Sequence, residues 1–561
     1  MRSALVGFLG LLAALATPAR AQSQDERLTT ISAIRSEGLN ASQVMDHLSW
    51  LGDVFGPRVS GTPGMAAASD WAMRRMREWG LTNVHREHFQ FGPGWSLERS
   101  AIRMTSPQTM QIIGYPIAWT PGTEGMVSGE VVHANLLTET DLERWRGRLR
   151  GKIIFIQPAR IVRPVELPMV HRYTDEELRQ LRDATPVGPQ WRADISRRNV
   201  APSLNQSRGL FGAGDSEARN AWLDRLIAFL KAEGVVAVIE RGSDSTERPA
   251  VAFQQLMASQ RTQRIDGGTI QLSMATPDID NRDRLLPWVV IAVEQYNRII
   301  RILERGVPVT IELDIATHWY PEQPEGSGLN TFAEIRGNDL ADQIVLLGAH
   351  MDGLHPASAA VDNGAGVAAV MEAVRILRAI GVRPRRTIRV ALWDGEESGL
   401  LGSRNYVERH FGDPFRGPPY TAETRRISAY FNMDSGSGRI RGFYARNNLA
   451  AIPLLSRWIA PLADLGVTAI SPLAPTSQIN AGRFTTGSDH IYFDAVGIPA
   501  FEAIQDRLEY FSRTYHSNMD FLDRASAPDL TQAAVVLASV AYQAAMEDGM
   551  VPRAPPTRQN E

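Results

Sequence analysis

Residues 343–397 read QIVLLGAHMDGLHPASAAVDNGAGVAAVMEAVRILRAIGVRPRRTIRVALWDGEE, and this stretch decides the fold. Its first seven residues form an apolar run bounded by polar residues, which predicts a buried strand. Residues 367–380 then place apolar side chains on one face of a helix, and residues 387–393 form a second apolar run. The succession of strand, helix and strand is typical of a parallel sheet covered by helices.

Two later apolar runs, at residues 427–433 and 498–504, continue the same alternation. We therefore predict an α/β fold with a mixed, mostly parallel sheet flanked by helices. In such sheets ligands bind in the crevice at the carboxyl ends of the strands. The residues that follow each predicted strand are therefore the first candidates for a functional site.

Metal-binding and acid–base side chains follow the predicted strands or lie in the loops between them. They are His350, Asp352, Asp362, Glu396, Glu397, Asp434 and His516. Each alone has an ordinary structural explanation, such as a buried histidine, a solvated turn or a helix cap. Their joint occurrence at one predicted sheet edge favours a metal site.

The chain of 561 residues contains no cysteine, so any metal must be bound by His, Asp and Glu. Zinc accepts imidazole nitrogen and carboxylate oxygen, and other divalent metals are possible. The number of candidates suggests two ions that share one carboxylate, a role that Asp362 can fill. Glu396 is then a free carboxylate suited to act as a general base, and Asp352 can hold the second N–H of the His350 imidazole.

Six stretches spread over residues 328–545 resemble the co-catalytic zinc exopeptidases of the aminopeptidase Y and glutamate carboxypeptidase family. They are LLGAHMDG, VDNGAGVAAVMEAVRIL, VALWDGEESGLLGS, YFNMDSGSG, TGSDHIYFDAVGIPAF and TYHSNMD. The resemblance implies one metal on His350, Asp362 and Asp434, and a second on Asp362, Glu397 and His516. It also implies that Glu396 is the general base and that Asp352 orients a ligand.

The middle of the chain is rich in short β-like runs, among them GTEGMVSGEVV, RGKIIFIQ and AEGVVAVIERG. These runs resemble the protease-associated domain that such enzymes carry as an insertion. The stretch PRVSGTPGMAAASDWAMRRMREWG resembles the plasma glutamate carboxypeptidase branch, which acts on free dipeptides. Residues 163–230 are longer than this small domain needs, and a lid, a dimer contact, a specificity element and a surface elaboration all remain open.

The first residues have the pattern of a signal peptide, with Arg2, a short apolar run and Ala19-Arg20-Ala21 as a cleavage site. We predict the following organisation: signal peptide at 1–21, peptidase domain at 22–120, protease-associated-like insertion at 121–320, peptidase domain with the metal site at 321–548, and a disordered tail at 549–561. The signal peptide implies a secreted or periplasmic protein. An uncleaved membrane anchor is the alternative.

His490, in the stretch GSDH before the fourth strand, is a second-tier candidate for a contact with the substrate or the transition state. A packing role is an equal alternative. No G-x-S-x-G motif, P-loop or dinucleotide-binding motif is present, so serine hydrolase and nucleotide-binding functions lack support.

These observations predict an exported di-zinc exopeptidase that hydrolyses the N-terminal bond of short peptides or dipeptides through a metal-bridged hydroxide. A single-zinc glutaminyl cyclase and a non-catalytic binding module on the same fold are the alternatives. The expected partners are short peptides, and a homodimer is possible. With 59 Lys and Arg against 62 Asp and Glu, we expect neither nucleic acid nor, after signal cleavage, a membrane as a partner.

Overall fold

The computed structural model describes residues 24–136, 138–162, 164, 168–185, 217–242, 266–272, 274–275, 277–414, 416–473 and 487–554. The predicted signal peptide, residues 186–216 of the predicted insertion and residues 555–561 of the predicted tail lie outside the described residues.

The described strands form two sheets. The strands are β1 (Thr82–Phe89), β2 (Gly94–Ser106), β3 (Met110–Gln111), β4 (Gly114–Pro116), β5 (Val127–His133), β6 (Lys152–Phe155), β7 (Ala237–Arg241), β8 (Trp288–Ile291), β9 (Thr310–Tyr320), β10 (Gly328–Ile335), β11 (Leu340–His350), β12 (Arg386–Trp393), β13 (Ile427–Asn432), β14 (Ile440–Tyr444), β15 (Ala469–Ser471) and β16 (Ala500–Gln505).

Helices cover both sheets. The described α-helices are α1 (Gln24–Asn40), α2 (Val44–Ser49), α3 (Pro63–Glu78), α4 (Glu139–Trp145), α5 (Asp175–Arg182), α6 (Glu217–Glu233), α7 (Asn281–Arg284), α8 (Val293–Leu303), α9 (Ala365–Ala379), α10 (Leu401–His410), α11 (Ile452–Ile459), α12 (Ile491–Ala495) and α13 (Ala527–Met546). Among the described residues, no helix is both long and apolar enough to cross a membrane.

The first sheet has the strand order β1-β10-β12-β11-β13-β16-β14-β15. Strands β12, β11, β13 and β16 run parallel to one another, and β10 and β14 flank them in the antiparallel direction. Helices α1, α9 and α13 share one apolar core with one face of this sheet, and α10 and α12 pack on the other. The predicted mixed, mostly parallel α/β fold is confirmed.

The second sheet has the strand order β3-β2-β9-β5-β6-β7-β8-β4, and β5 to β8 are its parallel part. In the chain it lies between β1 and β10, which pair with each other in the first sheet. It is therefore an insertion between two neighbouring strands. The sheet begins at Gly94, earlier than the predicted boundary at 121, because β2, β3 and β4 also join it. Its assignment as a protease-associated domain stays a prediction.

The start of the predicted tail differs from the prediction of disorder. Val551 is buried, and the Arg553 guanidinium donates hydrogen bonds to the main-chain oxygens of Gly497, Thr424 and Ile427. Residues 549–554 therefore pack against the first sheet and its loops. Polar and proline-rich composition did not reveal this packing, because the contacts depend on residues distant in sequence.

Candidate metal centre

Three predicted ligands meet at the carboxyl edge of the first sheet. His350 is the last residue of β11, Asp434 lies two residues after β13, and Asp362 lies in the turn before α9. The Nε2 atom of His350 is 3.2 Å from Asp434 Oδ1 and 3.5 Å from Asp362 Oδ1. The three ligand atoms lie within 4.8 Å of one another, which is close enough for one ion.

A second group adjoins the first and shares Asp362 with it. The Nε2 atom of His516 is 2.8 Å from Glu397 Oε2 and 3.5 Å from Asp362 Oδ2. One oxygen of Asp362 thus faces each histidine. The structure brings all five predicted ligands together in the pairing that the sequence resemblance implies.

Buried carboxylate oxygens without donors show that these residues fit cations. Asp362 Oδ2 and both oxygens of Glu397 are buried and accept no hydrogen bond. Burial, followed by the charge of Asp362, raises the pKa of Glu397 well above its ordinary value. Several buried acids close together are costly, and divalent cations would supply positive charge and occupy the carboxylate oxygens that accept no hydrogen bond. Carboxylate oxygen and imidazole nitrogen are a donor set that zinc accepts.

Asp352 lies behind the first group and connects two strands. The Nδ1 atom of His350 is 3.0 Å from the main-chain oxygen of Asp352 and 3.5 Å from Asp352 Oδ1. The Asp352 carboxylate also accepts hydrogen bonds from the amides of Glu396 and Glu397, at 3.1 and 3.2 Å. One side chain therefore touches an imidazole ring and fixes the turn that carries Glu397.

Glu396 is placed next to the two groups but belongs to neither. Burial raises its pKa well above the ordinary value; the charge of His350 opposes this shift, and Asp434 adds to it. A carboxylate with a raised pKa can take a proton near neutral pH and release it again. The role of Glu396 as a general base stays a prediction.

Two polar residues in the loop after α2 were missed by the sequence analysis. Arg58 is fully buried and donates hydrogen bonds to four main-chain oxygens around the site, including those of Met351 and Ala359. Ser60 Oγ lies 2.6 Å from Asp394 Oδ1 and 3.3 Å from Asp352 Oδ2. The sequence signal that could have revealed them is the occurrence of Arg58 and Ser60 close together in the loop PRVSG. This loop lies in the stretch that resembles the plasma glutamate carboxypeptidase branch, but the resemblance assigned neither residue a role.

Asp520 is not among the predicted ligands, but it supports the shared ligand Asp362. Its carboxylate accepts hydrogen bonds from the amides of Val361 and Asp362, at 2.6 and 3.0 Å. Burial, followed by the charge of Asp362, raises the pKa of Asp520 to about 8, and Arg58 acts against this shift. The Asp362–Asn363 peptide bond beside these contacts is cis.

His490 lies beneath the metal groups and has no exposed surface. Its Nε2 atom is 3.1 Å from an Arg446 nitrogen and 3.6 Å from Glu502 Oε2. Burial, followed by the charge of Arg446, lowers its pKa well below the ordinary value. The ring is therefore neutral and packed against internal polar groups, and a contact with the substrate stays a prediction.

The segment inserted between β1 and β10 is called the second unit below, and the rest of the chain the first unit. The second unit holds the loop that carries His516. The amide of Leu272 donates to the main-chain oxygen of His516 at 2.8 Å, and the amide of Ile270 donates to Asn518 Oδ1 at 2.6 Å. His516 itself has a positive φ of 52°, a conformation uncommon for residues other than glycine. The strained ligand residue is thus fixed by contacts that come from a different sheet.

A family model described as peptidase family M28 matches residues 330–541, which contain every residue of the two metal groups. Residues 330–541 thus resemble peptidase family M28. The chain is 25% identical to carboxypeptidase Q of Mus musculus over 513 residues, which cover 91% of this chain and 87% of that protein.

Two solved structures share the fold of this chain. The peptidase M28 precursor from Shewanella amazonensis has a TM-score of 0.63 at 23% identity, covering 95% of this chain and 100% of that chain. The zinc aminopeptidase BSAP from Bacillus subtilis has a TM-score of 0.51 at 17% identity, covering 90% and 95% of the two chains. The predicted metallopeptidase class is confirmed.

Proposed function

We propose that this protein is a di-zinc exopeptidase of peptidase family M28 that removes the N-terminal residue from short peptides, including dipeptides. The observation that carries the proposal is the pair of three-residue groups that share Asp362, with Glu396 beside them. A single ion needs no second group, and a binding module needs no base. The names of the relatives, a carboxypeptidase and a zinc aminopeptidase, support exopeptidase activity and zinc.

Each residue of the site then has a separate task. When bound, two zinc ions supply Lewis acidity, which polarises a peptide carbonyl and lowers the pKa of a nearby water. Asp352 holds the His350 ring and the Glu396–Glu397 turn in place. Glu396 accepts the proton of the attacking water on its carboxylate and returns it to the leaving amine.

Export from the cytoplasm belongs to the same proposal. It rests on the positive start, the short apolar run and the small-residue cleavage site of residues 1–21. Mass spectrometry of the mature N-terminus after expression in a bacterium tests it. A chain that begins after Ala21 is expected, and an intact Met1 in the exported fraction would contradict cleavage.

The first test is the metal content of the purified chain after zinc reconstitution and removal of loosely bound ions. Two zinc ions per chain are expected, together with hydrolysis of dipeptides and of N-terminally free short peptides. Blocking the α-amino group by acetylation should abolish cleavage. One ion per chain would favour the cyclase alternative, and a chain without metal would favour a binding module.

Glu396→Gln tests the general base directly. The amide cannot accept the proton from water, so we expect kcat for peptide hydrolysis to fall by about 10²–10⁴-fold. The metal content should stay at the wild-type value, because Glu396 belongs to neither ligand group. Glu408→Gln is the matched control, since Glu408 forms a surface ion pair with Arg404 on α10. Unchanged turnover in Glu396→Gln would refute the assignment.

A further inference from the structure

Arg507 is a buried cation that forms no hydrogen bond and no close ion pair with any of the described residues. Its residue is 5% exposed, its Nε atom has no hydrogen-bond acceptor, and no carboxylate of the described residues lies within ion-pair distance. The guanidinium lies 5.1 Å from the ring centre of Phe511, which supplies a weak cation–π contact only. Burying a charge in this way is costly unless an anion joins it.

The position of Arg507 connects it with the metal centre. It lies two residues beyond the carboxyl end of β16, the strand that pairs with β13, and Asp434 follows β13. Ser435, next to Asp434, donates a hydrogen bond of 3.5 Å to Glu502 on β16. The Glu502 carboxylate experiences the charges of both Asp434 and Arg507. The unpaired guanidinium therefore lies along the same sheet edge as the metal groups.

Part of the inserted sequence fixes Arg507 in this position. Residues 168–182, called the strap below, lie across the chain on both sides of Arg507. The amides and main-chain oxygens of His171 and Leu508 exchange two hydrogen bonds, at 3.0 and 2.8 Å, and the amide of Tyr173 donates to Asp506 at 2.9 Å. The backbone around Arg507 is thus held before any ligand arrives.

The strap also closes the space around the guanidinium. Leu178 and Leu181 of the strap form an apolar cluster with Tyr444 and Ile504 of the first sheet, and Tyr173 packs against this cluster. Burial lowers the pKa of Arg507, but the neighbouring Tyr173 of the strap, Tyr444 of β14 and Glu502 outweigh this effect and raise it. The strap and β14 therefore place tyrosine hydroxyl groups near a positive charge that has no close ion-pair partner among the described residues.

We propose that Arg507 binds a carboxylate of the peptide substrate and makes this enzyme selective for peptides that carry one near the scissile bond. A guanidinium pairs with a carboxylate through two parallel hydrogen bonds, and peptides supply this group at the C-terminus or on acidic side chains. The inference rests on the proposed peptidase function and deepens it. It also assigns the strap to specificity, one of the roles that the sequence left open.

Paired substrates and Arg507→Gln test the proposal. Alanyl-alanine and its C-terminal amide differ only in the terminal carboxylate, and alanyl-glutamate amide and alanyl-glutamine amide differ only in a side-chain carboxylate. The wild-type enzyme should prefer the acid in at least one pair. In Arg507→Gln, kcat/KM for that acid should fall at least about tenfold because KM rises. The kcat/KM for the neutral peptide of the pair should change less than twofold. The pair that responds identifies the source of the carboxylate.

Three controls separate this role from a structural one. Arg507→Lys keeps the positive charge but cannot form two parallel hydrogen bonds, so kcat/KM for the acidic peptide should fall by less than in Arg507→Gln. This variant also provides the test if Arg507→Gln does not fold. Arg524→Gln removes an exposed arginine that pairs with Glu509 and should change neither pair. An equal loss on all four peptides, or no loss, overturns the assignment of Arg507. Absence of any peptide hydrolysis by the wild-type enzyme would instead refute the proposed function.

Discussion

Asp362 is held through its backbone as well as its side chain, because Asp520 accepts hydrogen bonds from the amides of Val361 and Asp362. A ligand that serves two metal sites must keep both of its oxygens in fixed positions. Groups that orient ligands in this way commonly affect metal affinity by one or two orders of magnitude. Asp520 is therefore a determinant of the site although it binds no metal itself.

Asp520→Asn tests this dependence. An asparagine side chain has one acceptor oxygen, so one of the two amide hydrogen bonds is lost and the side-chain amide faces an N–H group. We expect zinc affinity to fall about 10–100-fold in a chelator competition titration. Asp523→Asn, at an exposed position in the same loop, should leave the affinity unchanged. Wild-type affinity in Asp520→Asn would contradict the positioning role.

The sequence predicted which candidate ligands meet at the sheet edge better than it predicted the residues that support them. His350 and Asp434 follow apolar strands directly, and the topology of a parallel sheet brings such strand ends together. Arg58 and Arg507 lie in loops, and their relation to the site depends on how those loops fold over the sheet. No local pattern reveals that a given arginine will be buried, so neither role was predicted.

At the scale of elements, β14 and β15 approach each other unusually closely. A Cβ atom on Gly442 of β14 would overlap the main-chain oxygen of Ala469 on β15. Only glycine permits this strand pairing, because a main-chain oxygen cannot rotate away as a side chain does. The edge of the first sheet that carries α5 of the strap depends on this contact.

Gly442→Ala should therefore lower the free energy of unfolding by about 1–3 kcal/mol, the range seen for overpacked sites. Urea unfolding followed by circular dichroism measures the change. Gly549→Ala is the control, because a Cβ atom there would have nothing within 4 Å. Wild-type stability in Gly442→Ala would mean that β15 tolerates displacement.

Two histidines flank Glu87 and join β1 to the end of α10. His410 Nε2 lies 3.0 Å from the Glu87 carboxylate, and His85 lies 3.9 Å from it. Burial opposes ionisation of Glu87, but the hydrogen bond with His410 and the proximity of His85 lower its pKa to about 2. The neighbouring Glu87 carboxylate raises the pKa of His85.

These shifts give Glu87→Gln a characteristic pH dependence. The lowered pKa of Glu87 stabilises the fold above the unfolded value of about 4.3, and this contribution disappears as pH falls towards 2. The raised pKa of His85 stabilises the fold below about 6.5 and the contribution is lost as pH rises beyond it. Urea titrations should show the largest destabilisation between about pH 4.5 and 6.5. Glu78→Gln, at an exposed ion pair, should show no such maximum.

At the scale of the whole molecule, residues from both units position one predicted metal ligand, His516. His516 belongs to the first unit, but residues 268–272 of the second unit hold its loop through main-chain and Asn518 hydrogen bonds. Loosening the second unit should therefore reach the metal site. The described contacts make the insertion part of the catalytic structure.

Asn518→Ala tests the connection between the units. The buried Ile270 amide loses its acceptor, so we expect a loss of about 1–3 kcal/mol in the free energy of unfolding. Chelator competition should also show weaker binding of one zinc ion, because the His516 loop loses support. Gln295→Ala removes a comparable amide contact inside the second unit, at Ile113. That control should leave zinc affinity unchanged; equal effects of both variants would contradict the connection.

Sequence patterns located the strands of the second unit but not its boundary. The runs at β5, β6, β7 and β8 were recognised, whereas β2 to β4 were assigned to the peptidase domain. The pattern of apolar residues indicates that a segment is extended, but it does not indicate which sheet the segment joins. The partner of β2 is β9, whose first pairing joins residues more than 200 positions apart in sequence.

The insertion between β1 and β10 has a kinetic consequence. Sheet pairing between these strands must close a chain segment of more than 200 residues, which is entropically unfavourable while that segment is unfolded. Folding of the second unit removes this cost, because pairing of β2 with β9 places Gly94 beside Tyr320 and delivers both ends of the segment together. The second unit therefore acts as a folding template, and completion of the first sheet should follow its formation in time.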